Sequence, residues 1–347
     1  MPKGRIPPVS NFPDKIQLDR LTHVSFAHPD LEAFDGFAHA FGFELAHRTS
    51  TGIYYRGWGR DAYAYVARKQ DEKKFLGATF VASSESDFQK CTELPTASAV
   101  WDNVGAPGGG KMVSLSSPSG GVMHVLWGQE DRPIPEKAVS ATEVHKGGYN
   151  TSLKKERKGE YQRFKLGPAM VHKLGHYGYL TTMFDEDIEF YTKNFNFVPS
   201  DILYEESGSE GQDSQIDTLT FMHLDKGKEY VDHHTLFLAR VQDPNPELKE
   251  TRHRLHHCSF EVEDFDTQLL GHEYLLQKGY TPLWGVGRHI LGSQIFDYWK
   301  DPSGFTIEHY ADGDVVNVDN GTGREKSEGA ASMYIWGPVR PEEGVAS

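Results

Sequence analysis

Short alternating runs, rarely longer than a handful of residues, dominate the hydrophobic pattern of the chain, and they recur in order. LTHVSF (21–26) and LGHYGY (174–179) each place a histidine third in a strand-like run. A helical stretch follows each run and ends in an aromatic turn, FGFEL at 41–45 and FNFVP at 195–199. The halves also finish alike. SPSGGVMHVLW (117–127) matches DPSGFTIEHYA (301–311), a Pro-Ser-Gly turn entering an alternating strand. A finer repeat lies inside each half: LGATFVASSESDFQKC (76–91) has the pattern of LHHCSFEVEDFDTQLL (255–270). Each reads as a strand, an acidic turn and a helix with apolar residues at helical spacing.

This periodicity predicts an α+β fold made of four βαβββ modules starting near residues 20, 75, 173 and 254. An open curved sheet must bury one face, so two paired modules form a cup around a central site. The expected division is a first domain at 15–130, a linker at 131–170, a second domain at 171–314 and a tail at 315–347. The linker stretch is polar and rich in Gly, Pro and Lys. ESGSEGQDSQ (206–215) reads as a surface insertion, and MYIWGPVRP (333–341) as an apolar plug whose Trp336 docks on the domain or on a neighbouring subunit.

Composition narrows the picture. At 347 residues the chain suits two cores of ordinary size. The net charge of -14 argues against a nucleic-acid partner, which needs a basic surface. The one basic stretch, KKERKGEYQRFK (154–165), reads as a solvated linker face. No apolar run is long enough to span a membrane, and MPKGRIPPVSNFPDK lacks the apolar segment of a secretory signal. Cys91 and Cys258 cannot build a disulfide framework, so a reducing, cytoplasmic setting is expected.

Three residues of the second half stand on predicted strands and carry metal-binding chemistry. His176 lies in the first strand of the third module, His257 in the first strand of the fourth, and Glu308 in the last strand of the fourth. Strand alternation points His257 away from its neighbours His256 and Cys258, and groups Glu308 with Thr306 rather than with Ile307 and His309. Two imidazoles and one carboxylate converging in a cup form the facial triad of non-haem Fe(II) oxygenases. That arrangement leaves adjacent positions on which a catechol and O2 meet already oriented. A lone strand histidine is more often a hydrogen-bonded core residue than a ligand. The first half is an internal control: His23 persists, but Gly77 replaces His257 and His124 replaces Glu308. Packing alone does not explain a site kept in one copy and lost in the other.

LGHYGY, HHTLFLA, RLHHCSFEV, GVGRHILGSQIFDYWKDPSG and FTIEHYADGD, in this order, resemble the type I extradiol dioxygenases of the vicinal oxygen chelate superfamily. The resemblance covers roughly residues 18–312. It implies the glyoxalase/bleomycin-resistance/dioxygenase-like fold, with no metal in the first domain. It also implies that His176, His257 and Glu308 bind Fe(II); the same ligands accept Mn(II).

The family's acid/base histidine falls in HHTLFLA and is assigned to His233, which shares a face with Thr235. His234 is the alternative, lining the substrate site, since a one-residue slip exchanges the two. His289 and Tyr298 would line the pocket and touch the substrate oxygens. Gly178, two residues after His176, would leave room for a substituted catechol. His253, His256, His272 and His309 are read as structural or exposed. The implied reaction opens a catecholic ring with O2 beside its two hydroxyls, giving a hydroxymuconic semialdehyde-type product, and the family's habit implies a homo-oligomer.

Three rivals share parts of this pattern. A 4-hydroxyphenylpyruvate dioxygenase-like enzyme would carry a helical C-terminal gate that the sequence does not display. A glyoxalase-like metalloenzyme would place carboxylates at more of the metal positions. A non-catalytic module that binds aromatic ligands has no need of three metal ligands.

Overall fold

The computed structural model describes residues 4–135, 148–206, 215–241 and 251–341. The middle of the expected linker and all but the ends of the ESGSEGQDSQ insertion lie outside these residues.

The first half comprises β1 (Leu18–His28), α1 (Leu31–Phe41), β2 (Glu44–Arg48), β3 (Gly52–Arg56) and β4 (Tyr65–Lys69). A second module follows: β5 (Lys74–Ala82), α2 (Glu85–Thr92), β6 (Trp101–Asp102), β7 (Lys111–Ser116) and β8 (Val122–Trp127). The eight strands form one sheet in the order β2-β3-β4-β1-β5-β8-β7-β6. In each module the first strand runs parallel to the last, and the two modules join through the antiparallel pair β1–β5.

The second half repeats the plan with β9 (Lys173–Thr181), α3 (Phe184–Asn194), β10 (Phe197–Glu206), β11 (Gln215–Leu224), β12 (Val231–Asp232) and β13 (Leu236–Arg240). Its last module is β14 (His253–Glu261), α4 (Phe265–Gln277), β15 (Pro282–His289), β16 (Ile295–Lys300) and β17 (Thr306–Ala311). The modules join through β9–β14, with β13 parallel to β9 and β17 parallel to β14. The four modules therefore begin at Leu18, Lys74, Lys173 and His253, and the α+β repeat read from the sequence is the observed architecture.

Local chemistry sets the ends of the helices. Asp30 caps α1 by accepting from the backbone of Glu32 and Ala33, and Asp264 caps α4 through Thr267 N–H. Gly42 closes α1 at φ +111°, where a Cβ would stand 1.8 Å from the Ala169 carbonyl oxygen. Phe34, Phe37 and Phe41 on the buried face of α1 join a core that also takes in Tyr177, Phe197 and Phe260 of the second half. Burying each ring stabilises the fold by roughly 1.5–3 kcal/mol.

The two Pro-Ser-Gly turns lock the halves together reciprocally. Ser119 of the first turn donates its N–H to Asp187 Oδ1 (2.9 Å), while Ser303 of the second meets His28 Nδ1 (2.8 Å).

The segment expected to be a tail contributes strands instead. They are β18 (Val315–Val316), β19 (Gly323–Lys326) and, after a 3-10 turn at Gly329–Ser332, β20 (Tyr334–Trp336). β19 pairs with β10 at one edge of the second sheet and β20 with β15 at the other, giving β19-β10-β11-β13-β9-β14-β17-β16-β15-β20. Edge strands tolerate charge, so the sequence GREK of β19 shows no apolar alternation to betray it. Trp336 rests on its own half, 6.0 Å from the Phe265 ring, and stays 42% exposed. No helix among the described residues is long and apolar enough to cross a membrane.

Candidate metal centre

Register places the three expected ligands on three adjacent strands. Ser259 of β14 pairs with His176 of β9 on one side and with Glu308 of β17 on the other. His257, two residues back on β14, pairs with Gly178. His176, His257 and Glu308 are all buried. Their ligand atoms form a nearly equilateral triangle: His176 Nε2, His257 Nε2 and Glu308 Oε2 are 3.2 Å from one another.

Ligands on one face of an octahedron stand √2 bond lengths apart. A 3.2 Å side thus corresponds to bonds of about 2.3 Å, close to the roughly 2.0–2.2 Å of nitrogen and oxygen ligands to divalent ions. Neither oxygen of Glu308 has a hydrogen-bond partner among the described residues, although the carboxylate is fully buried. A buried, unpartnered carboxylate facing two imidazole nitrogens is what a divalent cation satisfies. The donor set fits Fe(II) or Mn(II).

Burial disfavours ionising Glu308, but the imidazoles of His176, His257 and His289 outweigh it and hold the carboxyl well below its usual range. Burial pushes His257 down to about 4, so it is neutral and able to ligate. His257 Nδ1 lies 2.7 Å from His256 Nδ1, a contact that fixes the ring orientation of the ligand. His256 was expected to point away. A register shift between Leu255 and His257 breaks the alternation, and both histidines reach the cavity wall.

The cup encloses a cavity of about 240 Å³ beside the triangle. His289 and Tyr298 line it as expected, with His289 Nε2 3.0 Å from the Tyr298 hydroxyl. The Met333 carbonyl accepts from His289 Nδ1 (2.7 Å), so the returning segment holds this ring in place. Met333 and Arg340 also join the wall, a contribution the sequence reading missed.

Two further placements differ from expectation. His234, not His233, faces the cavity, its ring 4.2 Å from that of His176. Counting back from the cavity residues Phe237 and Ala239 gives Thr235 and His233. β13, however, begins only at Leu236, and the phase slips by one ahead of the ladder. His233 lies behind, with Nε2 2.7 Å from Asp201 Oδ2. Gly178 leaves room for Phe237, not for substrate: a Cβ there would fall 2.2 Å from the Phe237 ring. The ring of Phe237 then reaches His257, at 5.0 Å between centroids. His253, His272 and His309 bond to Ser119 O, Asp297 and Phe41 O, in structural roles.

The first sheet keeps the registers without the chemistry. Thr79 pairs with His23 and His124, and Ser25 with Gly77, so Gly77 and His124 stand where the second sheet has His257 and Glu308. His124 Nε2 bonds to the Leu76 carbonyl, and a Cβ on Gly77 (φ +126°) would lie 2.7 Å from that nitrogen. Tyr63 packs at a tilt against His23, 4.4 Å between ring centroids, much as His234 does against His176.

Residues 173–309 match the family model described as Glyoxalase/Bleomycin resistance protein/Dioxygenase superfamily. Metapyrocatechase 2 of Cupriavidus necator is 26% identical over 323 residues, covering 93% of this chain and 90% of the relative. Among solved structures, the homoprotocatechuate 2,3-dioxygenase of Brevibacterium fuscum with 3,4-dihydroxyphenylacetate superposes with a TM-score of 0.73. It is 15% identical and covers 100% of this chain and 96% of that one. The Mn(II)-bound glyoxalase of Novosphingobium aromaticivorans gives 0.70 at 19% identity, covering 93% and 91%. These structural likenesses establish the fold. The match to the glyoxalase/bleomycin resistance protein/dioxygenase superfamily thus falls on the second half, which carries the triangle of ligand atoms.

Proposed function

We propose that the protein is an extradiol dioxygenase that opens a catecholic ring with O2, using Fe(II) held by His176, His257 and Glu308. The observation that carries this reading is the buried triangle of 3.2 Å sides, present in one of two like sheets and placed on the wall of a cavity. Its relatives support it. One is a metapyrocatechase, and a structural neighbour is a 2,3-dioxygenase holding a catechol.

Bound there, the metal would acidify a coordinated hydroxyl and bring the diol and O2 together. The protein's own groups do the rest. His234 presents a ring edge to the cavity and takes the proton of the second hydroxyl, returning it later to the product oxygen. Tyr298 keeps its hydroxyl at the cavity wall, 3.0 Å from His289 Nε2, and turning that O–H from the ring toward the substrate would let it hydrogen-bond to oxygen as negative charge grows. Phe237 and Trp284 cover the site with apolar surface and exclude water from the reacting oxygens.

We further read the domain ends near residues 130 and 171, where β8 and β9 bracket the connection. Two buried, unpaired cysteines favour a cytoplasmic protein, and a net charge of -14 favours small-molecule partners over nucleic acid; the homo-oligomer rests on the resemblance to the dioxygenases. The test is anaerobic loading with Fe(II), then a catechol, then O2. The expected result is one O2 consumed per catechol with a yellow ring-opened product. A catechol that binds and stays intact sinks the reading.

A further inference from the structure

Behind His234 stands a chain of groups that the reaction above does not call upon. His233 Nδ1 is 3.1 Å from His234 Nδ1, and His233 Nε2 is 2.7 Å from Asp201 Oδ2. We propose that Asp201 and His233 are positioning residues that fix His234 as the tautomer protonated on Nδ1, leaving Nε2 as the proton acceptor toward the cavity. The inference rests on the reading that His234 handles a substrate proton.

The argument follows from which atoms can donate. An ionised carboxylate only accepts, so His233 holds its proton on Nε2, donated to Asp201. A neutral His233 then offers a lone pair at Nδ1. Its contact with His234 Nδ1 is a hydrogen bond only if His234 carries the proton there. The remaining ring nitrogen of His234, Nε2, is left bare. When a substrate O–H bond breaks and an Nε2–H bond forms, the resulting imidazolium already points Nδ1–H into the Asp201 chain, which disperses its charge without any rotation.

The surrounding backbone is built around this chain. The His233 carbonyl accepts from Ser200 Oγ (2.5 Å), and its N–H donates to the Asp314 carbonyl (3.0 Å). Two glycines make space. A Cβ on Gly323 of β19 would stand 1.9 Å from Asp201 Oδ1, and one on Gly292 would stand 2.9 Å from His233 Nδ1. Among the described residues the first sheet has no such relay: Tyr63 packs at a tilt against its histidine there, and that hydroxyl accepts from Asn103 Nδ2.

Asp201→Asn inverts the chain. Its amide N–H donates to His233 Nε2, which moves the His233 proton to Nδ1 and forces the His234 proton onto Nε2. Nitrogen-15 histidine spectra of the full chain loaded with diamagnetic Zn(II) read this directly. The expected result is Nδ1–H on His234 in the wild type and Nε2–H in Asp201→Asn. In the iron-loaded protein, Asp201→Asn should lower kcat about 100-fold with KM within about threefold, and Asp201→Glu should restore most of it. Nε2–H on wild-type His234 overturns the proposal, and that spectrum decides even if Asp201→Asn does not fold. A folded Asp201→Asn protein with unchanged kcat overturns it as well. A wild-type chain that opens no catechol overturns the functional reading alone, because the spectrum needs no turnover.

Discussion

Ser259 and Thr79 hold the same register in the two sheets, each flanked by a histidine strand and by the strand after a Pro-Ser-Gly turn. Around Ser259, two imidazoles and a carboxylate gather with their ligand atoms 3.2 Å apart. Around Thr79, the same three positions hold His23, Gly77 and His124, and the His124 ring lies over the glycine. The backbone supplies a place for the site in both halves. A histidine is common to both, so two side chains decide whether that place can hold a cation, and fold and site are separable properties within one chain.

The comparison breaks most completely with His257→Gly, which gives the second sheet what the first has at Gly77. Metal affinity should fall by at least ~100-fold and ring cleavage should vanish, read as metal content after dialysis and as O2 uptake. His124→Ala, its mirror experiment, should leave metal content unchanged.

A smaller effect is expected at the next shared register. Gly178 faces Phe237 where Ser25 faces Val66. Gly178→Ala should cost about 1–3 kcal/mol through overpacking against the ring, whereas Ser25→Ala should stay within about 0.5 kcal/mol. Thermal melting distinguishes the two.

The reciprocal turns differ in their response to pH. Burial pushes His28 from the ordinary 6.5 to about 3. The unfolded chain therefore takes up a proton below about 6.5 that the folded chain refuses until about 3, so stability is lost as pH falls through that window. Denaturant titrations should show a shallower acid loss in His28→Gln. Asp187, which grips the other turn, is raised by burial, so its contribution runs the opposite way and declines as pH rises above the usual carboxylate range.

The smallest effect belongs to an addition that the first sheet lacks. Trp336→Ala should cost no more than about 1 kcal/mol, because the ring is half-exposed against Phe265.

Much of this was legible in the sequence because it follows period and repeat. The four modules and the contrast of His257 with Gly77 need only aligned patterns, and the observed registers match that alignment. Legibility ended where a ladder was interrupted. Alternation misplaced His256 because β14 shifts register beside it, and it chose His233 over His234 because β13 begins two residues further on. Gly178 was read as open space since a sequence does not say which side chain across a strand will fill a vacancy. Asp201 carried no signal at all: its importance is a 2.7 Å contact with a residue 32 positions away.

The pairing of β19 and β20 with opposite edges of the second sheet also sets an order of assembly. Asp201 faces Gly323 across 122 residues of chain, and Arg288 faces Trp336. The strands that cap both edges are synthesised after every candidate ligand through Glu308. The wall that Met333 and Arg340 add to the cavity is therefore the last part of it to be synthesised, after all three metal-binding side chains.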